Sequence, residues 1–243
     1  MHYAIIAAGK GSRLAEEGVA LPKPLVMING ESLVYRLIRI FSQNNAERIF
    51  IICNEEMTEV AEYISNLKQK YPAIHLLIKS TPSSMHSLYE LTKEMKKLTD
   101  EGQETPRLVL TTVDTIFNES EFATYVRTFE SDAASDAVMG LTKYIDDEKP
   151  LYVGVENTKD ESRITGYYDT QNGCTHISAG IYGLTSKTLP VLNRCIEEGQ
   201  SRMRRFQRAL VEEGLSVKPF VFSKVFDIDH ASDIEKASSI ERN

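Results

Sequence analysis

Short apolar runs alternate along this chain with stretches in which apolar residues recur every three or four positions. Residues 3–8 are apolar throughout, the pattern of a strand covered on both faces in a parallel sheet. Residues 31–44 carry Leu33, Leu37, Ile38, Ile40 and Phe41 on a helical period, and 48–53 return to a strand. The alternation continues with a helix over 57–70, a strand over 74–78, a helix over 84–98 and an apolar strand over 108–113. This β-α-β-α-β order predicts an α/β fold, Rossmann-like, with a mostly parallel central sheet and helices on both faces. Ligands of such sheets bind beyond the carboxyl ends of the strands. The loop after residue 8 and the carboxylate of Asp114 both fall at such ends.

From about residue 135 the helical rhythm lapses. Residues 137–141, 151–156, 164–168 and 175–184 read as strands, separated by Asp146-Asp147-Glu148-Lys149-Pro150 and Thr170-Gln171-Asn172-Gly173. Helices are expected near 186–199 and 201–213, then a final strand running to Asp229 and a helix from about Ala231. We read the second half as a mixed β insertion on one compact unit spanning 1–243, since no repeat or low-complexity linker interrupts it.

Composition narrows the function classes. A hydrophobic share of 42% and a charged share of 26% belong to an ordinary globular protein. No apolar run reaches membrane-spanning length, and the chain enters a strand at once without a basic leader, so a cytoplasmic protein is expected. Cys53, Cys174 and Cys195 are far apart and the histidines show no ligand spacing, which predicts reduced thiols and no zinc site. The net charge of −7 argues against a nucleic-acid surface, so any positive potential must be local.

That local charge lies in Gly9-Lys10-Gly11-Ser12-Arg13 and Pro22-Lys23-Pro24. Two glycines let backbone N–H groups close around an anion, and Lys10, Arg13 and Lys23 supply cations. The spacing does not fit a Walker loop, and Leu14 stands where a dinucleotide fingerprint needs its third glycine. Instead the string, with Ala7-Ala8 before it and Leu25 after it, resembles the A-A-G-x-G-x-R…P-K-x-L signature of the nucleotidyltransferases that make nucleotide sugars and related activated alcohols, including enzymes of the CTP:phosphocholine cytidylyltransferase type.

The resemblance implies a nucleoside triphosphate and a small phosphorylated acceptor as partners, Mg²⁺ as cofactor, and pyrophosphate as product. It implies a nucleotide-binding half over 1–134 and an acceptor-binding, closing half over 135–243. Ala7, Ala8 and Gly9 would line the base through their backbone, and Lys10, Gly11 and Ser12 would follow the phosphates. Arg13 would face the β- and γ-phosphates, and Lys23 the α-phosphate or the incoming phosphate. Asp114 would hold Mg²⁺, joined by an acidic pair, Asp227 and Asp229; two apart, both are expected on one strand face. Asp233, in the first turn of the last helix, reads as structural.

Ser83 or Ser84 would cap a helix beside the base. Ser84 through Leu88, with Ser87 before the leucine, is closer to the Ser-Leu pattern of relatives that activate phosphocholine or similar phospho-alcohols with CTP than to the Gly-Thr-x-x-x-Leu of sugar-activating relatives. Gly180 and Tyr182 match a Gly-Ile-Tyr strand that contacts acceptor, whereas Glu148-Lys149-Pro150 lies too early for the Glu-Lys-Pro of sugar enzymes. Tyr144, Tyr152, Tyr167, Tyr168 and Tyr182 offer either strand packing or a cage for a quaternary ammonium, packing being the commoner use. Arg204 and Arg208 share a helix face, either for acceptor phosphate or, more ordinarily, for Glu197, Glu198, Glu212 or Glu213. Competing readings are a nucleotide-sugar-dependent glycosyltransferase, a non-catalytic nucleotide sensor and a dehydrogenase using Glu55 for ribose. Val113-Asp114-Thr115 breaks the glycosyltransferase Asp-x-Asp. Oligomeric state is open, a homo-oligomer included.

Overall fold

The computed structural model describes residues 1–99, 106–158 and 161–239. The first half runs β1 (His2–Ala7), α1 (Ser12–Glu16), β2 (Met27–Ile28), β3 (Glu31–Ser32), α2 (Leu33–Gln43), β4 (Arg48–Cys53), α3 (Thr58–Leu67), β5 (Ile74–Ile78), α4 (Ser84–Lys97), β6 (Leu108–Thr112), β7 (Thr115–Phe117) and α5 (Glu119–Ser131). The second continues with β8 (Ala137–Thr142), β9 (Tyr152–Asn157), β10 (Ser162–Tyr168), β11 (His176–Leu184), α6 (Leu189–Glu197), α7 (Met203–Glu212), β12 (Val217–Phe222), β13 (Val225–Asp227) and α8 (Ala231–Ser238).

One nine-stranded sheet takes strands from both halves in the order β10-β9-β11-β6-β1-β4-β5, with β8 joining β11 to β12. Strands β6, β1, β4 and β5 are parallel, and β11 reverses direction beside β6. The expected α/β architecture is therefore present, mostly parallel in its first half and mixed in its second. Alternation along β1 shows why the run reads as continuous apolar: Tyr3, Ile5 and Ala7 enter one core layer, Ala4 and Ile6 the other. The first layer takes Leu37 and Phe41 of α2 and Phe122 and Phe129 of α5; the second takes Leu88 of α4, Leu192 of α6 and Phe206 of α7. Among the described residues, no helix is long and apolar enough to cross a membrane.

The structure departs from the sequence pattern in three places. The helix expected over 31–44 begins at Leu33, because Asn29-Gly30, both at positive φ, close a hairpin of β2 and β3 first. Ser32 then caps α2 by accepting from the Tyr35 N–H at 3.3 Å. Between β6 and β8 lie a short strand and a full helix, α5, capped by Asn118. The expected final strand is two strands: β12 extends the main sheet, while β13 leaves it and pairs antiparallel with β7. Because β13 ends at Asp227, Asp229 lies beyond the strand, and the two acids do not share one strand face as the spacing suggested.

Candidate active site

Where β1 ends, the chain turns through Gly11 at φ +63 into the short helix α1. A Cβ at Gly11 would stand 3.0 Å from the Lys23 Cβ, so glycine lets the loop close against Lys23 as well as adopt the left-handed backbone. Lys23 opens a tight turn over Lys23–Leu25 between two prolines, a stiff mount for a buried ammonium. Its Nζ lies 2.5 Å from Asp114 Oδ2 and 2.8 Å from Asp229 Oδ1. Arg13 Nη1 donates to the other oxygen of Asp229 at 3.1 Å. Residues from three distant stretches thus meet at the carboxyl end of β6.

The β7–β13 ribbon fixes the acids. Its register sets Asp227 opposite Thr115, and the Ile228 N–H donates to the Asp114 carbonyl at 3.1 Å. Asp229 is held separately: Asp233 accepts the backbone N–H groups of Asp229 and His230 at 3.1 and 2.8 Å, capping α8. Burial pushes the Asp233 carboxyl up, but those N–H donors and Lys236 outweigh it and leave it below its ordinary value. Its expected structural role therefore extends to positioning Asp229. The arm carrying Arg13 is also fastened: Glu17 accepts from the Ala231 N–H at 2.7 Å and pairs with His230 Nδ1 at 2.6 Å.

Charge is balanced inside the cluster. Burial alone would lower the Lys23 pKa, but Asp114 and Asp229 outweigh it and hold the ammonium above its ordinary value. Asp227, an exposed side chain crowded by neighbouring acids, goes the other way: its pKa is raised first by desolvation and then by the charge of Asp114, against the opposing pull of Thr115 and Lys23. Asp114 Oδ1 is buried with no hydrogen-bond partner. Among the described residues no three His, Cys, Asp or Glu side chains gather as a metal-holding group. Asp229 is already committed to Arg13 and Lys23, which leaves Asp114 and Asp227 as the acids with capacity to spare. One or two carboxylates suit Mg²⁺, which keeps several waters and takes phosphate oxygens for the rest.

Beside this cluster opens a hollow of about 230 Å³, lined by Arg13, Tyr144, Glu148, Ser178, Phe226 and Asp227 among others. Gly180, in β11 just past the lining residues Ile177, Ser178 and Ala179, is not itself part of the lining; it sits at φ +68 within a bulge, where a Cβ would come 3.5 Å from Thr115 Oγ1.

The pattern described as the MobA-like NTP transferase domain matches residues 3–213. The chain belongs to this family. A glucose-1-phosphate cytidylyltransferase of Salmonella typhimurium is 32% identical over 66 residues, 27% of this chain and 26% of that protein, so the match spans about a quarter of the curated relative. Two solved structures share the fold over nearly the full length. The inositol-1-phosphate CTP transferase from T. maritima has a TM-score of 0.74 at 19% identity, covering 98% of this chain and 96% of that one. A nucleoside-diphosphate-sugar pyrophosphorylase from Vibrio cholerae has a TM-score of 0.70 at 14% identity, covering 98% and 100%.

The sequence-derived residues fall into two groups, all of them inside the MobA-like match except Asp227 and Asp229, which follow it. Arg13, Lys23, Asp114, Asp227 and Asp229 come together as described. Ala7 is buried at the end of β1, Ala8 is half-buried, Gly9 is exposed and Ser12 begins α1. Lys10 does not join the cluster; it is exposed and pairs with Glu56 at 2.8 Å. Ser83, not Ser84, caps α4 by accepting from the His86 N–H, while Ser87 is buried and bonds Thr81 at 2.6 Å. Tyr182 is buried, with its hydroxyl near Gln207 rather than in the hollow.

The five tyrosines form no cage: Tyr167 and Tyr182 pack in the core, and only Tyr144 of the set lines the hollow. Arg204 and Arg208 pair with Asp169 at 2.6 and 2.8 Å, not with the glutamates of neighbouring turns, because α7 lies against the end of β10. Glu55 accepts from the Ser80 N–H. Sequence reading missed Thr115, Glu17, His230 and the site-facing position of Glu148, 4.0 Å from Arg13. Of these, only Glu148 stands in a string with a signal, Glu148-Lys149-Pro150, which lies too early for the Glu-Lys-Pro of sugar enzymes.

Proposed function

We propose that this protein is a Mg²⁺-dependent nucleotidyltransferase that joins a nucleoside triphosphate, CTP foremost, to a sugar 1-phosphate or other polyol phosphate and releases pyrophosphate. The observation that carries the reading is the meeting of Lys23 with Asp114 and Asp229, and of Arg13 with Asp229, in a member of the MobA-like NTP transferase family.

An oxygen of the acceptor phosphate attacks the α-phosphorus, and the bond from that phosphorus to the β-phosphate oxygen breaks as pyrophosphate leaves. The nucleophile is already ionised at neutral pH, so no side chain has to take a proton from it. Catalysis rests on positioning and on charge. Lys23, kept cationic, meets the charge that grows on the α-phosphate. Arg13 offers a planar fork to the leaving phosphates. Asp114 and Asp227 would hold Mg²⁺, which neutralises the triphosphate tail when bound. Without substrate, Asp114 and Asp229 satisfy the cations that phosphate oxygens would otherwise engage.

CTP is supported by the cytidylyltransferase and CTP transferase among the similar proteins and by Ser87-Leu88 at α4. A polyol phosphate is favoured over phosphocholine because Tyr167 and Tyr182 are buried away from the hollow. The buried free thiols of Cys53, Cys174 and Cys195 fit a reducing, cytoplasmic setting.

The test is pyrophosphate release by the purified protein with Mg²⁺ and each common triphosphate, against glucose 1-phosphate, inositol 1-phosphate and phosphocholine. Release is expected with CTP and a polyol phosphate, and to stop when Mg²⁺ is chelated. Silence with every pair would refute the activity, and release with phosphocholine alone would refute the acceptor class.

A further inference from the structure

Behind the part of the hollow lined by Ser178 lies a buried amide. Gln207 of α7 is 2% exposed in an apolar layer with Phe206, Leu210 and Tyr182. A primary amide in such a layer is costly unless both of its ends are bonded. Here Oε1 accepts from Ser178 Oγ at 2.9 Å, and Nε2 is directed at the Tyr182 hydroxyl at 3.4 Å. Ser178 is fixed through its backbone as well, its N–H donating to the Leu151 carbonyl at 2.9 Å. It is the half-buried member of the set, and it lines the hollow.

A serine hydroxyl has one proton and two lone pairs. Committing that proton to Gln207 leaves Ser178 able only to accept. We propose that Ser178, held in this state by Gln207, is a specificity-determining residue that reads a hydroxyl donor on the carbon skeleton of the acceptor. The inference rests on the proposed transfer reaction for its placement, yet it concerns binding alone. A phosphate ester carrying a hydroxyl at the right distance donates to Ser178 Oγ. A plain alkyl phosphate brings no such donor, so it gains nothing from that lone pair. Gln207 is then a positioning residue, and its burial is explained by the hydroxyl it orients.

The test is calorimetric titration of the Mg²⁺-loaded protein, saturated with a non-hydrolysable α,β-methylene CTP, using glucose 1-phosphate, inositol 1-phosphate and propyl phosphate. Wild type is expected to bind a hydroxylated phosphate about tenfold more tightly than propyl phosphate. Ser178→Ala should erase that preference without weakening propyl phosphate, and Ser178→Thr, which keeps the hydroxyl, should restore it. Gln207→Met should reduce the same preference while its Tm shows the fold intact. The proposal is overturned if wild type shows no preference, or if Ser178→Ala binds every ester as wild type does or weakens all equally. Hydroxyl preference without pyrophosphate release would instead count against the transfer reaction alone.

Discussion

At the scale of single residues, charged groups here are held by competition between burial and partners, and the winner can be named. Asp132, the C-cap of α5, is a second example outside the site. Burial opposes its charge, but the Ser135 N–H and hydroxyl, Lys218 and the Ala134 N–H win and lower its pKa from 3.8 to about 2. A depressed carboxylate stabilises the fold fully above its unfolded value and loses that contribution as pH falls through the folded value. The pH window is therefore 3.8 down to about 2. With the side chain nearly buried, the contribution is about 2 kcal/mol. Urea unfolding of wild type and Asp132→Asn should differ by about that amount more at pH 6 than at pH 2. A pH-independent difference would show that the charge plays no part.

Residues in short motifs were legible at this scale. Arg13 and Lys23 sit in a string whose glycines and prolines announce a phosphate loop, and Asp114 ends an apolar strand. Ser178 heads the string that resembles the Gly-Ile-Tyr strand, yet neither its own role nor that of Gln207 was signalled. One serine in a strand and one glutamine in a helix look ordinary until the fold stacks α7 beneath β11.

At the scale of elements, the site depends on a ribbon of two three-residue strands. β7 and β13 bring Asp227 and Ile228 beside Asp114, and Phe117 anchors the ribbon. Its ring is 1% exposed, stacks on Phe122 with centroids 4.6 Å apart, and lies under the Arg36 guanidinium at 4.8 Å. Phe117→Ala should cost about 3–5 kcal/mol in chemical denaturation, more than a surface change could. A loss below about 1 kcal/mol would mean that the ribbon is not held by this core. Strands this short carry too few alternations to be read from sequence. For the same reason the expected single strand to Asp229 proved to be two, with Asp229 past the end and positioned by Asp233 instead. Long elements such as β1, β4, α4 and β11 fell close to their expected bounds because burial on a fixed period marks them.

At the scale of the whole molecule, a sheet built from both halves carries the donor loop at the end of β1 and the hollow by β11, with β6 between them. The parallel strands deliver their carboxyl ends to one side, and β11, antiparallel to β6, brings its early residues to that same side. In this acidic chain of net charge −7, Lys23 and Arg13 of the cleft are already balanced by acids. Which sheet edge the second half would join was not legible, since antiparallel and parallel pairing of β8 and β12 look alike as sequence.

The most direct measurement is the affinity of the protein for CTP in Mg²⁺, taken by calorimetry on wild type and on Lys23→Met. The account predicts a single site in wild type and a loss of tenfold or more in the variant, which keeps the stem but not the charge. Equal binding by the two proteins would contradict it.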